Sequence, residues 1–455
     1  MGKITLEEIL KLLSKYDVEE LEGVKIDGDI EIEIEGSAGI DPQYLQAIGM
    51  ELGMAAFHLA RAAMMLGFPV QQLFGSSEGF LTQPFLQPQP PQAAQTAQVT
   101  QVTQAIPPEE KVELIKKKFE PYKVEWSGYV EEVQLGATPK EGGTRKYTIK
   151  LGGERSLPFY IFDAPQPNLP AVSIDVFDRP VPLPKAVRVH YEDVMGHPDE
   201  WARKVVKKFG ADAVTIHLIS TDPLLDDTPP HEAVKTVEEV LQAVKCPIIV
   251  GGSGNKEKDP VLLEKVAEVA EGERVLLASA TLDMDWERIG KAAKEHGHCV
   301  LAWTQMDINS QRTLNRYLLK RVGLPRDSLV MDPTTAALGY GLDYAYSNME
   351  RARIAALKGD EDLAFPVSSG TTNAWGAREA WMKESPLEGD YSWGMREHRG
   401  PLWEILTGLT LSLAAVDIFM MMHPVSVAVL KELIHTLGGK KEVDVEVEDW
   451  ITAEI

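Results

Sequence analysis

Cysteine is scarce, with two among 455 residues, Cys246 and Cys299. That count excludes a disulfide scaffold, and it excludes an iron–sulfur cluster held by four cysteines of this chain alone. Each stands at the start of an apolar strand, so both read as small core residues. Positive charge is in deficit: 46 Lys and Arg face 69 Asp and Glu, a net charge of −23. Such a chain is a poor partner for nucleic acid or an anionic membrane, and a soluble cytoplasmic protein is expected. Long apolar runs are missing too. The most apolar stretch, 402–422, is broken by Glu404 and Asp417 and reads as a buried helix followed by a buried strand, not a membrane span. No signal peptide is expected ahead of Thr5. The P-loop pattern, the full dinucleotide fingerprint, a nucleophile elbow and a His pair for zinc are all absent.

What is present suffices for a large core. Hydrophobic residues make up 44% and charged residues 25%, as in ordinary globular proteins, and the length allows two or three domains. Residues 1–70 read as a small α+β module. Thr5 and Glu8 form a capping box for a helix over 6–15. Residues 24–26 and 30–34 alternate about Asp27-Gly28 as a hairpin. Residues 41–66 form a helix rich in Ala, Met and Leu, whose His58 has no metal-binding partner one turn away. Over 71–107 Gln, Pro, Ala and Thr dominate, the composition of a flexible linker. The apolar helix at the end of that linker is expected to tether the chain to a larger assembly, or else to close on its own hairpin. Residues 108–440 form the main domain. It opens with a helix over 108–120 and a hairpin of 129–134 with 146–151, of the kind that often plugs the bottom of a sheet or barrel. Residues 441–455 alternate Val and Glu as an acidic tail or a terminal strand.

In the main domain strands and helices alternate. The expected strands are 171–177, 213–219, 247–250, 274–278, 299–303, 329–331, 364–367 and 416–420. Most are continuous apolar runs, as parallel strands covered on both faces are. The expected helices are 199–209, 232–244, 260–270, 286–296, 309–322, 342–357, 403–413 and 425–437. Eight β/α units over roughly 270 residues match a TIM (β/α)8 barrel. A doubly wound open sheet is the runner-up.

In a barrel the residues just after each strand share the top face. They are Asp178 and Arg179; Ser220, Thr221 and Asp222; Gly251, Gly252, Ser253, Gly254 and Asn255; Ser279 and Thr281; Thr304, Gln305 and Asp307; Asp332, Thr334 and Thr335; Ser368 through Asn373; and His423. The densest part is 329–375, where two buried strands each run into a hydroxyl- and amide-rich loop. Strand ends and helix starts direct free N–H groups and short polar side chains into one crevice. Taken singly, each Ser or Thr reads as readily as a turn former or N-cap. Asp222, Asp307 and Asp332 could assemble a glycosidase-like pair, and Asp332 with Asp307 could hold a divalent metal, but no spacing demands either. Gly251-Gly252-Ser253-Gly254 resembles a phosphate cradle and equally a turn that reverses the chain. His217 falls inside a strand and reads as a satisfied core histidine. Trp375, Trp381 and Trp393 mark a long excursion, 373–401, that suits a lid or subunit contact and core packing equally well. The face as a whole suits holding a large polar ligand through neutral hydrogen bonds rather than driving acid–base chemistry.

Several of these stretches carry a resemblance. They are His217-Leu218-Ile219-Ser220-Thr221-Asp222-Pro223, Val250-Gly251-Gly252-Ser253-Gly254, Ala302-Trp303-Thr304-Gln305-Met306-Asp307, Met331-Asp332-Pro333-Thr334-Thr335-Ala336-Ala337-Leu338-Gly339-Tyr340-Gly341 and Ser368-Ser369-Gly370-Thr371-Thr372-Asn373-Ala374-Trp375-Gly376. Their order resembles the delta subunit of the archaeal acetyl-CoA decarbonylase/synthase complex, which is similar to the small subunit of the bacterial corrinoid iron–sulfur protein. The resemblance covers about residues 120–440, and the amino-terminal module also resembles the archaeal form.

The resemblance implies a TIM barrel that pairs with a gamma subunit as a heterodimer, within a complex that also holds alpha, beta and epsilon subunits. The gamma subunit would carry the iron–sulfur cluster and the main corrinoid-binding domain. The barrel would cap the other face of the corrinoid, a cobalamin-type cofactor shared at the interface. The pair would carry a methyl group on cobalt between a tetrahydropterin (tetrahydrosarcinapterin or tetrahydromethanopterin) and the acetyl-CoA-forming nickel centre, in the one-carbon metabolism of methanogenesis. On this implication the chain is a non-catalytic subunit that also helps maintain quaternary structure. The residues agree in lacking cysteines for a cluster and an Asp-x-His-x-x-Gly stretch for cobalt. Strand-end logic, rather than the family, selects Ser220, Thr221, Thr304, Gln305, Thr334, Thr335, Thr371, Thr372 and Asn373 as corrinoid-facing or interface residues. Two readings compete. One is an autonomous pterin-dependent methyltransferase of TIM-barrel type, with Asp332 and Asn373 on the pterin. The other is a purely structural barrel with an empty mouth.

Overall fold

In the computed structural model the described residues are 122–387 and 392–440, all within the unit that begins at Glu113. The expected module at 1–70, linker at 71–107, helix at 108–120 and tail at 441–455 lie outside them. The described chain opens with an antiparallel hairpin, β1 (Glu132–Leu135) and β2 (Ile149–Gly152). Eight parallel strands then close into a barrel: β3 (Ala171–Phe177), β4 (Ala213–His217), β5 (Ile248–Gly251), β6 (Leu276–Ala280), β7 (Cys299–Trp303), β8 (Leu329–Asp332), β9 (Val367–Gly370) and β10 (Val416–Met421). They follow chain order round the barrel, and β10 returns to β3. Between them run α1 (Lys185–Arg188), α2 (Pro198–Lys207), α3 (Pro230–Ala243), α4 (Lys258–Val269), α5 (Trp286–His296), α6 (Ile308–Tyr317), α7 (Leu342–Leu357), α8 (Arg378–Trp381) and α9 (Arg396–Ala414), with α10 (Pro424–Leu437) after the last strand. The fold is thus the TIM barrel, and the open doubly wound sheet is excluded by closure.

Most boundaries shift by one to five residues, and two of the shifts have readable reasons. The ninth strand begins at Val367, not at residue 364. Pro366 has no N–H for the ladder, and the Val367 N–H goes to Asp417 Oδ2 at 2.7 Å. The helix expected at 403 begins at Arg396, with Pro401 inside it. Gly400-Pro401 looks like a helix stop, but the glycine serves packing. The Trp375 ring lies so close that a Cβ on Gly400 would stand 2.2 Å from it. Trp375 is buried, so the core-packing reading holds for it, while Trp381 is exposed.

Side chains alternate along each strand. Val172, Ile174, Val214, Ile216, Val250 and Phe419 point outward and are buried under the helices. The inward set is layered. At the strand starts, Ala171, Ala213, Ile249, Leu276, Cys299, Val330 and Ile418 cluster with Val133, Leu135, Ile149 and Leu151 of the hairpin. The hairpin therefore plugs the bottom of the barrel, and each fully buried aliphatic side chain there contributes about 1.5–3 kcal/mol. Above the plug the interior turns to small hydroxyls: Ser173 and Thr215 share a 2.7 Å hydrogen bond, and Ser368 is fully buried. Only above that layer do charged and aromatic side chains enter.

Buried ionic groups hold the lower end together. Arg145, between β1 and β2, is 1% exposed. Its Nε donates to Glu273 at 2.7 Å, and its Nη1 and Nη2 donate to the carbonyls of Val244 and Leu241 at 2.8 Å. It thereby satisfies carbonyls left free at the end of α3. Arg353 of α7 lies 3.3 Å from Glu154, just after the hairpin, and 2.8 Å from Asp417 of β10. Burial and the neighbouring Asp417 push the Glu154 carboxyl up to about 8.

Candidate functional site at the barrel mouth

The upper end is assembled from strand C-termini, and alternation decides which residues reach it. Ser173 and Asp175 share the inward face of β3, as Thr215 and His217 do on β4. Asp175 is 2% exposed. Its Oδ2 accepts from Thr372 Oγ1, and its Oδ1 lies 3.1 Å from His217 Nε2. The imidazole stacks on Phe177 with ring centroids 5.1 Å apart. On the next strands the inward residues are Gly251 and Ala278, then Trp303 and Asp332. Asp332 is buried, and its Oδ1 accepts the Thr334 N–H at 3.0 Å. Burial pushes its carboxyl up to about 7, against that hydrogen bond.

The expected site residues divide by face. Thr372 and Asn373 belong to the mouth. Thr372 binds Asp175, and Asn373 is exposed while its amide donates to the Thr335 carbonyl at 3.0 Å. Gln305 is exposed. Thr334 is partly exposed at φ +69°, held there by its N–H to Asp332 and its hydroxyl to the Thr304 carbonyl at 2.7 Å. The others are turned inward to the protein. Thr335, Ser369 and Thr371 form a buried chain of hydroxyls with 2.8 Å links, on the helix side of β9. Thr304 is buried against Gln311 of α6 at 2.9 Å. Thr221 closes its own turn on the Leu218 carbonyl at 2.7 Å, and Ser220 is buried on Asp178.

The strand-end acids mostly serve as caps. Asp307 accepts the Asn309 and Ser310 N–H groups at the start of α6, and Asp222 accepts the Leu224 N–H. Neither is committed to Asp332. The glycine loop after β5 is occupied by the chain's own anion. Asp259, 4% exposed, accepts the Ser253 N–H at 3.1 Å and the Gly254 N–H at 2.8 Å. Gly252 is required because a Cβ there would stand 2.4 Å from that carboxylate. The loop is a turn closed on Asp259, not a free phosphate cradle. His423 caps α10 through Nδ1, and its Nε2 lies 3.2 Å from His190 Nε2. Burial pushes it down to about 4. Among the described residues no group of three or more His, Cys, Asp and Glu could hold a metal.

Two inner residues escape strand-end reasoning, Asp175 and His217. The signal for both was present. Asp175 is the one charge in the apolar run 171–177, and His217 follows Thr215 at the strand period, so both share the barrel-lining face. Their presence corrects the picture of a wholly neutral mouth: the rim mixes amides and hydroxyls with acids such as Asp222 and Asp307 that cap their own loops, and the floor carries a carboxylate–imidazole pair and a second carboxyl.

A sequence family described as the CO dehydrogenase/acetyl-CoA synthase delta subunit matches residues 132–385. The acetyl-CoA decarbonylase/synthase complex subunit delta of Archaeoglobus fulgidus is 66% identical over 463 residues, covering 100% of both chains. Subunit delta 1 of Methanosarcina thermophila is 53% identical over 456 residues, covering 100% of this chain and 99% of its own. The subunit delta of Methanothermobacter thermautotrophicus is 52% identical over 352 residues, 76% of this chain and 84% of its own. Among solved structures, the 7,8-dihydropteroate synthase of Vibrio fischeri ES114 is similar at 13% identity, with a TM-score of 0.42 over 60% of this chain and 95% of that one. That likeness carries no argument about the site.

Proposed function

The chain belongs to the CO dehydrogenase/acetyl-CoA synthase delta-subunit family, and from that membership we propose that it is the non-catalytic barrel of a methyl-carrying heterodimer. Its partner on this reading is a gamma subunit that holds a corrinoid, and the barrel mouth covers the exposed face of that cofactor. The supporting observation is the contrast between a plugged bottom and a mouth whose rim ends in amides and hydroxyls that reach solvent. A corrin ring is edged by amide side chains, so it asks for neutral donors and acceptors over a broad surface. Gln305, Thr334, Thr372 and Asn373 supply that chemistry. Ser220, Thr221, Thr304, Thr335 and Thr371 shape the loops that present them. When bound, the corrinoid supplies the cobalt that carries the methyl group between a tetrahydropterin and the acetyl-CoA-forming centre. This chain's residues hold the rim of the ring, exclude water and keep the pair attached to the alpha, beta and epsilon subunits. No helix among the described residues is long and apolar enough to cross a membrane.

A second reading, an autonomous pterin-dependent methyltransferase, is favoured by one feature. Asp332 on the floor of the mouth carries a carboxyl pushed up to about 7, which can give or take a proton near neutrality,. Visible absorption separates the two. The chain alone, and then the chain with its gamma partner, is mixed with cobalamin and passed through gel filtration. A corrinoid band or a corrinoid spectral change that requires this chain together with the partner supports the capping role. Corrinoid or pterin held by this chain alone, with methyl transfer, would replace it with the enzyme reading.

A further inference from the structure

Asp175 and His217 form a clamp with one open end. Asp175 is almost fully buried; its Oδ1 and His217 Nε2 lie 3.1 Å apart, and neither atom completes a hydrogen bond among the described residues. Its other oxygen is taken by the Thr372 hydroxyl, whose oxygen also lies 3.2 Å from the Met420 carbonyl, the two acceptors sharing its one proton. The imidazole is thus stacked across its Phe177 face, with its Nε2 edge in ion-pair contact with the carboxylate. The side chain is nevertheless 28% exposed. The exposed edge carries Nδ1, which takes no hydrogen bond from the described residues. The wall beside it is Gly251 and Ala278. A Cβ on Gly251 would stand 3.5 Å from Nδ1, at ordinary van der Waals contact, so Gly251 lines the ring edge. A buried carboxylate left with an imidazole as its one remaining partner is costly unless the arrangement is used. A carboxylate facing Nε2 keeps the proton on that nitrogen, so Nδ1 is left as an acceptor.

We propose that His217 is a ligand-binding residue of the mouth, presenting Nδ1 as a fixed acceptor for an N–H donor of the seated ligand. Asp175 and Thr372 are its positioning residues. The ligand class, a macrocycle edged with primary amides, rests on the function proposed above. The acceptor itself is a property of this chain and does not.

The test has two arms. In the first, the full chain is labelled with 15N-histidine and the two ring nitrogens of His217 are assigned by comparison with His217→Gln. The expected pattern at neutral pH is a protonated Nε2 and a bare Nδ1, with Asp175→Asn moving the proton to Nδ1 as an amide donor would require. A wild-type spectrum with the proton on Nδ1 overturns the proposal. In the second, the chain is paired with its gamma partner and dicyanocobinamide, whose blocked axial positions make binding report the rim of the ring. His217→Phe and Asp175→Asn are expected to lower retained corrinoid about tenfold, the worth of one good hydrogen bond. His217→Gln, whose amide oxygen can accept, is expected to recover part of it. Thermal unfolding of each variant identifies any that simply fails to fold. If the wild-type pair retains corrinoid and both variants match it, the inference fails and the function reading stands. If the wild-type pair retains none, the function reading falls and takes the ligand class with it, while the nitrogen spectrum still decides the acceptor.

Discussion

At the lower end of the barrel every buried charge is enclosed by protein. Arg145 is surrounded by Glu273 and helix-end carbonyls, and Arg353 lies between Glu154 and Asp417. Glu154 there makes only the 3.3 Å ion-pair contact and no hydrogen bond, but protein closes over it; at the upper end the barrel strands carry Asp175, His217 and Asp332, also with bonding capacity left over, below a mouth that is not closed. Alternation along a strand supplies both ends with inward positions, so the difference lies in what closes them. The hairpin covers one end with aliphatic side chains, and nothing among the described residues covers the other. The lower end therefore stabilises the fold, and the upper end is where a partner or ligand can complete the bonding.

The largest expected effect lies at the bottom. Arg353→Met leaves two carboxyls buried without their cation, and unfolding in urea should show a loss of about 3–5 kcal/mol. An effect under about 1 kcal/mol would mean that the cluster is hydrated and that the two ends differ less than their contacts imply. Arg145→Ala should cost somewhat less, about 3 kcal/mol, since Glu273 retains the Thr144 N–H at 3.1 Å,. Its loss should also raise hydrogen exchange in β1 and β2 before the barrel strands, if the hairpin is a separate plug.

Glu154 sharpens the comparison through pH. Its carboxyl rises on folding from the ordinary value of 4.5 to about 8. A raised acid contributes stability that is fully present below the unfolded value and is lost as pH rises through the folded one. Folding of the wild type should therefore weaken between about pH 4.5 and 8 from this group. Glu154→Gln, neutral throughout, should be relatively more stable above that range by up to a few kcal/mol, since each tenfold change in proton affinity is worth about 1.4 kcal/mol. Equal pH slopes for the two proteins in denaturant titrations would show that Glu154 is ionised in the fold.

The contrast between the ends also explains what could be read from sequence. Continuous apolar runs and helix spacing placed the strand β3 (171–177) and the helices α5 (286–296) and α7 (342–357) at their observed bounds. Strand-end position brought Thr372, Asn373 and Gln305 to the mouth, but it assigns a loop and not a face. Thr335 and Thr371 sit in the same loops as Asp332 and Thr372 and point the other way, because one residue of register reverses a side chain. Asp222, Asp307 and Asp259 are carboxylates whose partners are nearby backbone N–H groups, and sequence carries no mark that separates such a cap from a free acid. The buried ionic cluster depends on residues 154, 353 and 417, whose proximity exists only once the barrel closes.

The smallest stability effects, and the most informative ones, belong to the rim. Gln305→Ala and Asn373→Ala remove exposed amides, so each should change stability by less than about 0.5 kcal/mol, as surface substitutions do. Asn373→Ala should cost slightly more of the two, because its amide also ties down the Thr335 carbonyl. If the mouth is the recognition surface proposed above, the double variant should still pair with the proposed gamma partner yet retain less corrinoid, or show an altered visible spectrum, in the proposed heterodimer. A double variant that is as stable as the wild type and leaves that spectrum unchanged would favour the empty-mouth reading. The open upper end would then reflect only the absence of a second plug.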